Sequence, residues 1–155
     1  GYGFASRHDP HGDYLYGMEV CVDPRFRGLR IGQRLYDARK RLCQELKLKG
    51  IVFGGRMPNF ARNRKKTSTP EAYLQAVAGK TITDPVIGFQ QRNGFEIIGV
   101  LKDYLPYDHE SLGYATHMVW KNPLMEEPKR RHSGQRGRTQ NSVRIAAVQF
   151  QVRKV

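Results

Sequence analysis

Val20-Cys21-Val22-Asp23-Pro24-Arg25-Phe26-Arg27-Gly28-Leu29-Arg30-Ile31-Gly32-Gln33-Arg34-Leu35 is the stretch on which the reading of this chain turns. Just before and into it, residues 14–22 (YLYGMEVCV) are rich in aromatic and β-branched types and read as a strand. Asp23-Pro24 stops that strand, and a basic turn containing glycine follows. From Ile31 the period changes: Ile31, Leu35, Ala38, Leu42 and Leu46 lie 4, 3, 4 and 4 residues apart, one face of a helix. Arg34, Arg39, Lys40, Arg41 and Lys47 supply its wet face, and Gly50 stands where a C-terminal cap would. Ile51-Val52-Phe53-Gly54 is a short apolar run, expected as a buried strand. Strand, helix and strand make a βαβ unit with parallel strands.

A loop that leads a strand into a helix N-terminus presents successive unpaired N–H groups at the positive end of the helix dipole. A pyrophosphate fits such a place. Gly28 and Gly32 permit close approach of the backbone, and Arg25, Arg27 and Arg30 can add charge-assisted hydrogen bonds. On spacing alone, an ordinary βα turn with a solvated basic face explains the segment equally well.

Further along, Arg56–Thr83 is a long connection that could shape an acceptor pocket or cover an interface. Its cluster Arg62, Arg64, Lys65 and Lys66 reads as a solvated face, a contact to a 3′-phosphate, or an anion-recognition patch. Ser68-Thr69-Pro70-Glu71 has a hydroxyl cap and a proline in the first turn, so a helix should run to about Ala78. Asp84-Pro85 opens a second helix, expected over Pro85–Asn93, and Gly94 stops it. Phe95–Tyr104 and Tyr114–Trp120 read as strands, with Tyr114, Thr116, Met118 and Trp120 on one face of the second. Glu126–Gln140 is polar, basic and aperiodic, an exposed linker, after which Val143–Phe150 becomes strand-like again.

Lys and Arg number 27 against 14 Asp and Glu, a formal charge of +13, which calls for an anionic partner such as nucleic acid or a phosphate-rich cofactor. No stretch approaches the ~18 consecutive apolar residues of a membrane helix. The opening GYGFASRHDPHGD lacks a basic region followed by an apolar run, so no secretory signal is expected there. Cys21, on the first strand, and Cys43, near the apolar helix face, read as buried free thiols in a reducing cytosol. Cys21 has no histidine in a recognisable partner motif and is not expected as a nucleophile. His8, His11, His109, His117 and His132 show no metal-ligand spacing with cysteine, so no metal is expected.

The pattern V-D-P-x-x-R-G-x-x-I-G-x-x-L resembles the pyrophosphate loop of GNAT-type N-acetyltransferases, Arg/Gln-x-x-Gly-x-Gly/Ala. Arg27 matches the first position and Gly32 the last, while the middle glycine is replaced by Arg30. Downstream, Gln91-Arg92-Asn93-Gly94-Phe95 resembles the Gly-Phe that ends the next helix of that family. The resemblance covers residues 14–120. It implies an α/β fold, a GNAT-like mixed sheet flanked by helices, here without its N-terminal strands and helices. It also implies direct acyl transfer from acetyl-CoA to an amine. The pantetheine arm would pair with the backbone of Met18–Val22, Val20, Cys21 and Val22 included, and the amides of Arg27, Gly28, Leu29, Arg30, Ile31 and Gly32 would hold the pyrophosphate. Glu19 is the candidate base, with a surface or salt-bridged glutamate as the plainer alternative. The tyrosine acid that the family often carries four residues before the helix-ending glycine is here Gln90, which has no proton to give at pH 7. Tyr104, Tyr107 and Tyr114 lie nearby in sequence without matching the motif.

Only thirteen residues precede Tyr14, with Gly1–Ser6 as the end of a third strand and His8–Asp13 as a turn, so the front of such a domain is expected to be missing. At the other end, Val143–Gln149 (VRIAAVQ) is similar to the first strand of the carbon–nitrogen hydrolase (nitrilase) superfamily. The expected division is therefore an acetyltransferase portion over 1–124, a linker over 125–141 and the opening strand of a hydrolase domain over 142–155. The Glu-Lys-Cys triad of that hydrolase would lie beyond Val155. A non-catalytic module that senses CoA or docks a hydrolase is the rival of a different class. A basic nucleic-acid-binding protein is a weaker one, because no RNA-binding or helix-turn-helix motif is present. No membrane partner is expected, the location is expected to be cytoplasmic, and a homo-oligomer is left open.

Overall fold

The computed structural model describes residues 9–125 and the backbone of 145–147. Gly1–Ser6, most of the linker 125–141 and most of 142–155 lie outside the described residues. Two units divide the chain, one of residues 1–51 with 121–155 and the other of residues 52–120.

In the first unit, strand β1 is only Tyr14–Tyr16 and pairs in parallel with β5, Ile145–Ala147, Tyr14 opposite Ile145 and Tyr16 opposite Ala147. Gly17–Val22, expected to continue the strand, runs without regular secondary structure. Helix α1 is Ile31–Glu45. Its buried residues are Tyr36 and Cys43, with Arg39 half-buried between them at helical spacing. The inner face is thus rotated from the one expected: Ala38 and Leu46 are exposed, and Arg39 is not on the wet side. A pattern built on aliphatic types alone passes over a tyrosine, a thiol and an arginine stem, each of which packs well. Gly50 is not the cap either. Lys47 takes the left-handed conformation at φ 53, and the Leu48 N–H reaches back to the Cys43 carbonyl at 3.0 Å. Gly50 instead opens strand β2, Gly50–Gly55.

The connection after α1 is tied down locally. Lys49 N–H donates to the Asp13 carbonyl at 2.8 Å, and its ammonium pairs with the Asp13 carboxylate at 3.0 Å. Asn122 is fully buried, its amide donating to the Leu48 carbonyl at 2.8 Å and its N–H to the Lys49 carbonyl at 2.9 Å.

In the second unit, helices α2 (Pro70–Ala78) and α3 (Pro85–Arg92) begin as their caps dictate. The Thr69 hydroxyl accepts from Ala72 N–H at 3.1 Å, and the Asp84 carboxylate accepts from Val86 and Ile87 N–H, each at 3.0 Å. Strands β3 (Glu96–Leu101) and β4 (Ala115–Lys121) are antiparallel, with a register shift between Ile97 and Gly99. β4 lies between β3 and β2. Ala115, Thr116, Met118 and Val119 are all buried, so β4 is covered on both faces and its one-face alternation is not the packing rule.

Met57, Phe60, Tyr73, Leu74 and Ile87 form the core of this unit. Phe60 stacks edgewise on Tyr114 at 6.0 Å and tilted on Tyr73 at 5.3 Å. Asp84 does more than cap: its second oxygen accepts from the Tyr73 hydroxyl at 2.5 Å and from Asn59 N–H at 3.4 Å. Burial, together with that carboxylate, pushes the Tyr73 phenol far above its usual range.

Candidate functional site: the Arg27–Gly32 loop and strand β2

Asp23 opens a single 3-10 turn, Pro24–Phe26, by accepting from Arg25 N–H at 2.9 Å. The Arg25 guanidinium folds back onto the same carboxylate at 2.8 Å and lies 5.7 Å from the Phe26 ring. The bonds from Arg25 hold the Asp23 carboxyl below its usual range. Arg25 is therefore spoken for, contrary to its expected part in anion binding. Arg27 and Arg30 make no ion pair among the described residues.

Gly28 turns the chain at φ 85, with nothing within 4 Å of the place its Cβ would take. Arg30, at the position where the motif has glycine, adopts φ 56 and ψ 21 and stands as the residue before α1. The left-handed turn that glycine would make freely is thus made by an arginine, at a cost of about 1 kcal/mol. No side chain caps α1, and its first backbone bond is Arg34 N–H to Arg30 carbonyl at 3.0 Å. The amides of Ile31, Gly32 and Gln33 thus lie ahead of the helical ladder. Chemically, this is an open nest of N–H groups beside two uncommitted guanidiniums, suited to a phosphate dianion.

Val20, Cys21 and Val22 lie on the irregular segment 17–22, whose N–H groups find no hydrogen-bond partner among the described residues. One anchor fixes that segment: the Arg39 guanidinium of α1 donates to the Glu19 carbonyl. Burial lowers the Arg39 pKa from its usual value, so this charged donor is largely withdrawn from water. Sequence reasoning missed Arg39, although its spacing from Tyr36 and Cys43 was the available signal. Glu19 and Cys21 are both exposed. For Cys21 this corrects the expectation of a buried thiol. Its strand is not continued, and the side chain has no sheet neighbour to cover it. Cys43 is buried, and desolvation pushes its thiol up to about 11.

In the 52–120 unit, the consecutive glycines of β2 face opposite ways. A Cβ at Gly55 would stand 2.5 Å from Gln90 Oε1 and 2.5 Å from Thr116 Oγ1, and one at Gly54 would stand 2.2 Å from Tyr104 Cε1. Gln90, at the motif's acid position, is 5% exposed, and its Oε1 has no hydrogen-bond partner. Tyr104 lies on the other face, where it lines a groove with Arg56, Leu105, Pro106, Tyr107 and Asp108. The signal for this arrangement was the Gly-Gly pair inside an apolar strand, a mark of close approach by something else. Among the described residues no group of three or more His, Cys, Asp or Glu could hold a metal ion. No described helix is long and apolar enough to cross a membrane.

The solved structure of GphF, a GNAT-like decarboxylase in complex with isobutyryl-CoA, superimposes with a TM-score of 0.64 and 27% identity, over 76% of this chain and 60% of that one. The fold is the GNAT fold. By sequence, the GNAT-fold chain is 39% identical over 155 residues to the Bacillus subtilis protein called probable hydrolase YhcX, covering 99% of this chain. It is 35% identical over 120 residues to the uncharacterized N-acetyltransferase YkwB of the same organism, covering 77% of this chain. It spans 29% of the length of the first relative and 52% of the second. No family model matches the chain.

Proposed function

We propose that this chain is an acyl-CoA-dependent N-acyltransferase domain that passes an acetyl group directly to an amine. The observation that carries the reading is the left-handed Arg30 at the head of α1, which opens the Ile31–Gln33 amides beside Arg27. GphF, of the same fold, was solved with an acyl-CoA bound. In the proposed reaction the pyrophosphate rests on residues 27–32 and the pantetheine arm pairs with the unsatisfied backbone of Val20–Val22. The amine nitrogen attacks the thioester carbonyl; the C–N bond forms, the C–S bond breaks, and CoA leaves as thiolate. Glu19 takes the amine proton, and solvent supplies a proton to the thiolate, since Gln90 has none to give.

The test is calorimetric titration of acetyl-CoA into the chain, with Arg27→Ala beside it, and turnover over a panel of amines with Glu19→Gln. Loss of one charge-assisted phosphate contact should weaken binding about tenfold. Glu19→Gln should lower turnover several-fold more than it lowers affinity. Unchanged turnover would remove Glu19 from the mechanism, and absence of binding would remove the function.

The buried Gln90 favours a second reading, a non-catalytic acyl-CoA-binding module. Binding without turnover of any amine would establish it. Release of CO2 from a carboxylated acyl-CoA, with no amine consumed, would move the reading to decarboxylation, the activity in the name of GphF.

We further propose that the chain is one portion of a longer protein joined to a carbon–nitrogen hydrolase in the cytoplasm. The hydrolase name of YhcX, aligned over 99% of this chain, and the likeness of VRIAAVQ to a nitrilase first strand support this. The reading frame downstream of Val155 should encode a Glu-Lys-Cys triad, and a stop there would refute it.

A further inference from the structure

The groove on the Gly54 face of β2 encloses about 380 Å³ and is lined by Arg56, Tyr104, Leu105, Pro106, Tyr107 and Asp108. Its walls combine two phenol rings with a leucine and a proline, and its charges are already arranged. Arg56 Nε donates to Asp108 at 2.6 Å, and its Nη2 donates to Asp108 at 2.8 Å and to Glu110 at 2.9 Å. Asp108 is held from the other side by the Ser111 hydroxyl at 2.7 Å. Ser111 is itself fixed, its Oγ accepting from Met57 N–H at 2.9 Å.

One guanidinium against two carboxylates leaves this cluster with one negative charge in excess. In a chain of formal charge +13 that is a local inversion of sign. An anion entering the groove would meet an arginine whose charge is already neutralised, so the groove disfavours anions. A cation would meet the excess carboxylate and two ring faces. Tyr107, 91% exposed, is the large side chain with most to gain from being covered. Tyr104 is fixed in place by its contact with Gly54, which gives the groove one rigid aromatic wall.

We propose that this groove binds a primary ammonium ion carrying an apolar body. The body lies between Tyr104 and Tyr107 against Leu105 and Pro106, and the ammonium faces Glu110 and Asp108. Calling that ligand the acyl acceptor rests on the acyltransfer reading above; its binding does not.

The experiment titrates 2-phenylethylamine and 3-phenylpropanoate, two ligands of like body and opposite charge, into the chain with and without CoA. Tyr107→Ala and Glu110→Gln are measured alongside, with acetyl-CoA as a separate titrant. Both substituted side chains are exposed, so the fold should persist, and a circular dichroism spectrum checks it. The amine should bind and the carboxylate should not. Tyr107→Ala should weaken the amine about tenfold and Glu110→Gln at least about threefold, with acetyl-CoA affinity unchanged in both. Equal binding of the carboxylate, or amine binding indifferent to both substitutions, would overturn the proposal. So would the absence of amine binding in a chain that takes up acetyl-CoA. If the amine binds as expected and acetyl-CoA does not, the groove stands and the acyltransfer reading falls.

Discussion

Tyr104 lies directly on the backbone of Gly54: a Cβ added there would stand 2.2 Å from Cε1 and 2.4 Å from Cζ of the ring. Nothing larger than hydrogen fits between them. Gly54→Ala should therefore displace the ring and cost about 1–3 kcal/mol, the usual penalty of overpacking. In a double-mutant cycle read by urea denaturation, Tyr104→Ala should absorb most of that cost, because the clash is with the ring alone. Additive losses would mean that the strand itself, rather than Tyr104, requires glycine.

Arg30→Gly tests the phosphate loop from the opposite direction. The left-handed backbone at φ 56 becomes free of Cβ strain, while the unfolded chain gains freedom. The balance should be about 0.5 kcal/mol in favour of the folded state, seen as a small rise in Tm. Acetyl-CoA affinity should fall if the guanidinium contacts phosphate, and should hold or rise if only the amides do.

Arg39→Met keeps the buried stem of the side chain and deletes its bond to the Glu19 carbonyl. A hydrogen bond from a charged donor contributes about 1.5–3 kcal/mol, so Tm should drop. Acetyl-CoA affinity should drop with it, because Gly17–Val22 loses its described anchor to α1. Hydrogen exchange at Val20–Val22, faster in the variant, would locate the effect.

The two thiols should separate by labelling and by pH. At pH 8 a thiol reagent should modify Cys21 in the folded chain and both cysteines in denaturant. Burial raises the folded Cys43 pKa to about 11, above the roughly 8.5 of an unfolded chain. Between those values the unfolded chain gives up a proton that the folded one keeps. The stability this provides is full below about pH 8.5 and is lost as pH rises toward 11. Denaturation midpoints of the native chain should fall faster over that range than those of Cys43→Ala.

Helix boundaries were the most legible part of the sequence. Thr69-Pro70 and Asp84-Pro85 act through their own side chains and a fixed proline φ, so local chemistry decides them. The loop Arg27–Gly32 was legible for the same reason, down to the left-handed turn at its middle position. What stayed hidden depends on neighbours far along the chain. Met57 and Phe60 sit in a stretch that reads as polar and basic, yet both are fully buried against Tyr73 and Ile87. Arg39 reads as a surface cation until Glu19, twenty residues earlier, offers it a carbonyl. Tyr104 has no motif of its own, and its place is set by an absence of side chain at Gly54.

Asp84 offers a last consequence. Its two oxygens serve four donors, on Asn59, Tyr73, Val86 and Ile87, which belong to the turn before residue 60, to α2 and to α3. Those segments share a single anionic hub, so none can open alone without stranding a buried carboxylate among the others' unsatisfied donors. The residues from 57 to 92 should therefore exchange their amide hydrogens as one cooperative block with a common opening free energy. In folding they would form a late-dissolving nucleus, against which the exposed 102–110 loop remains the local, cheaply opened element.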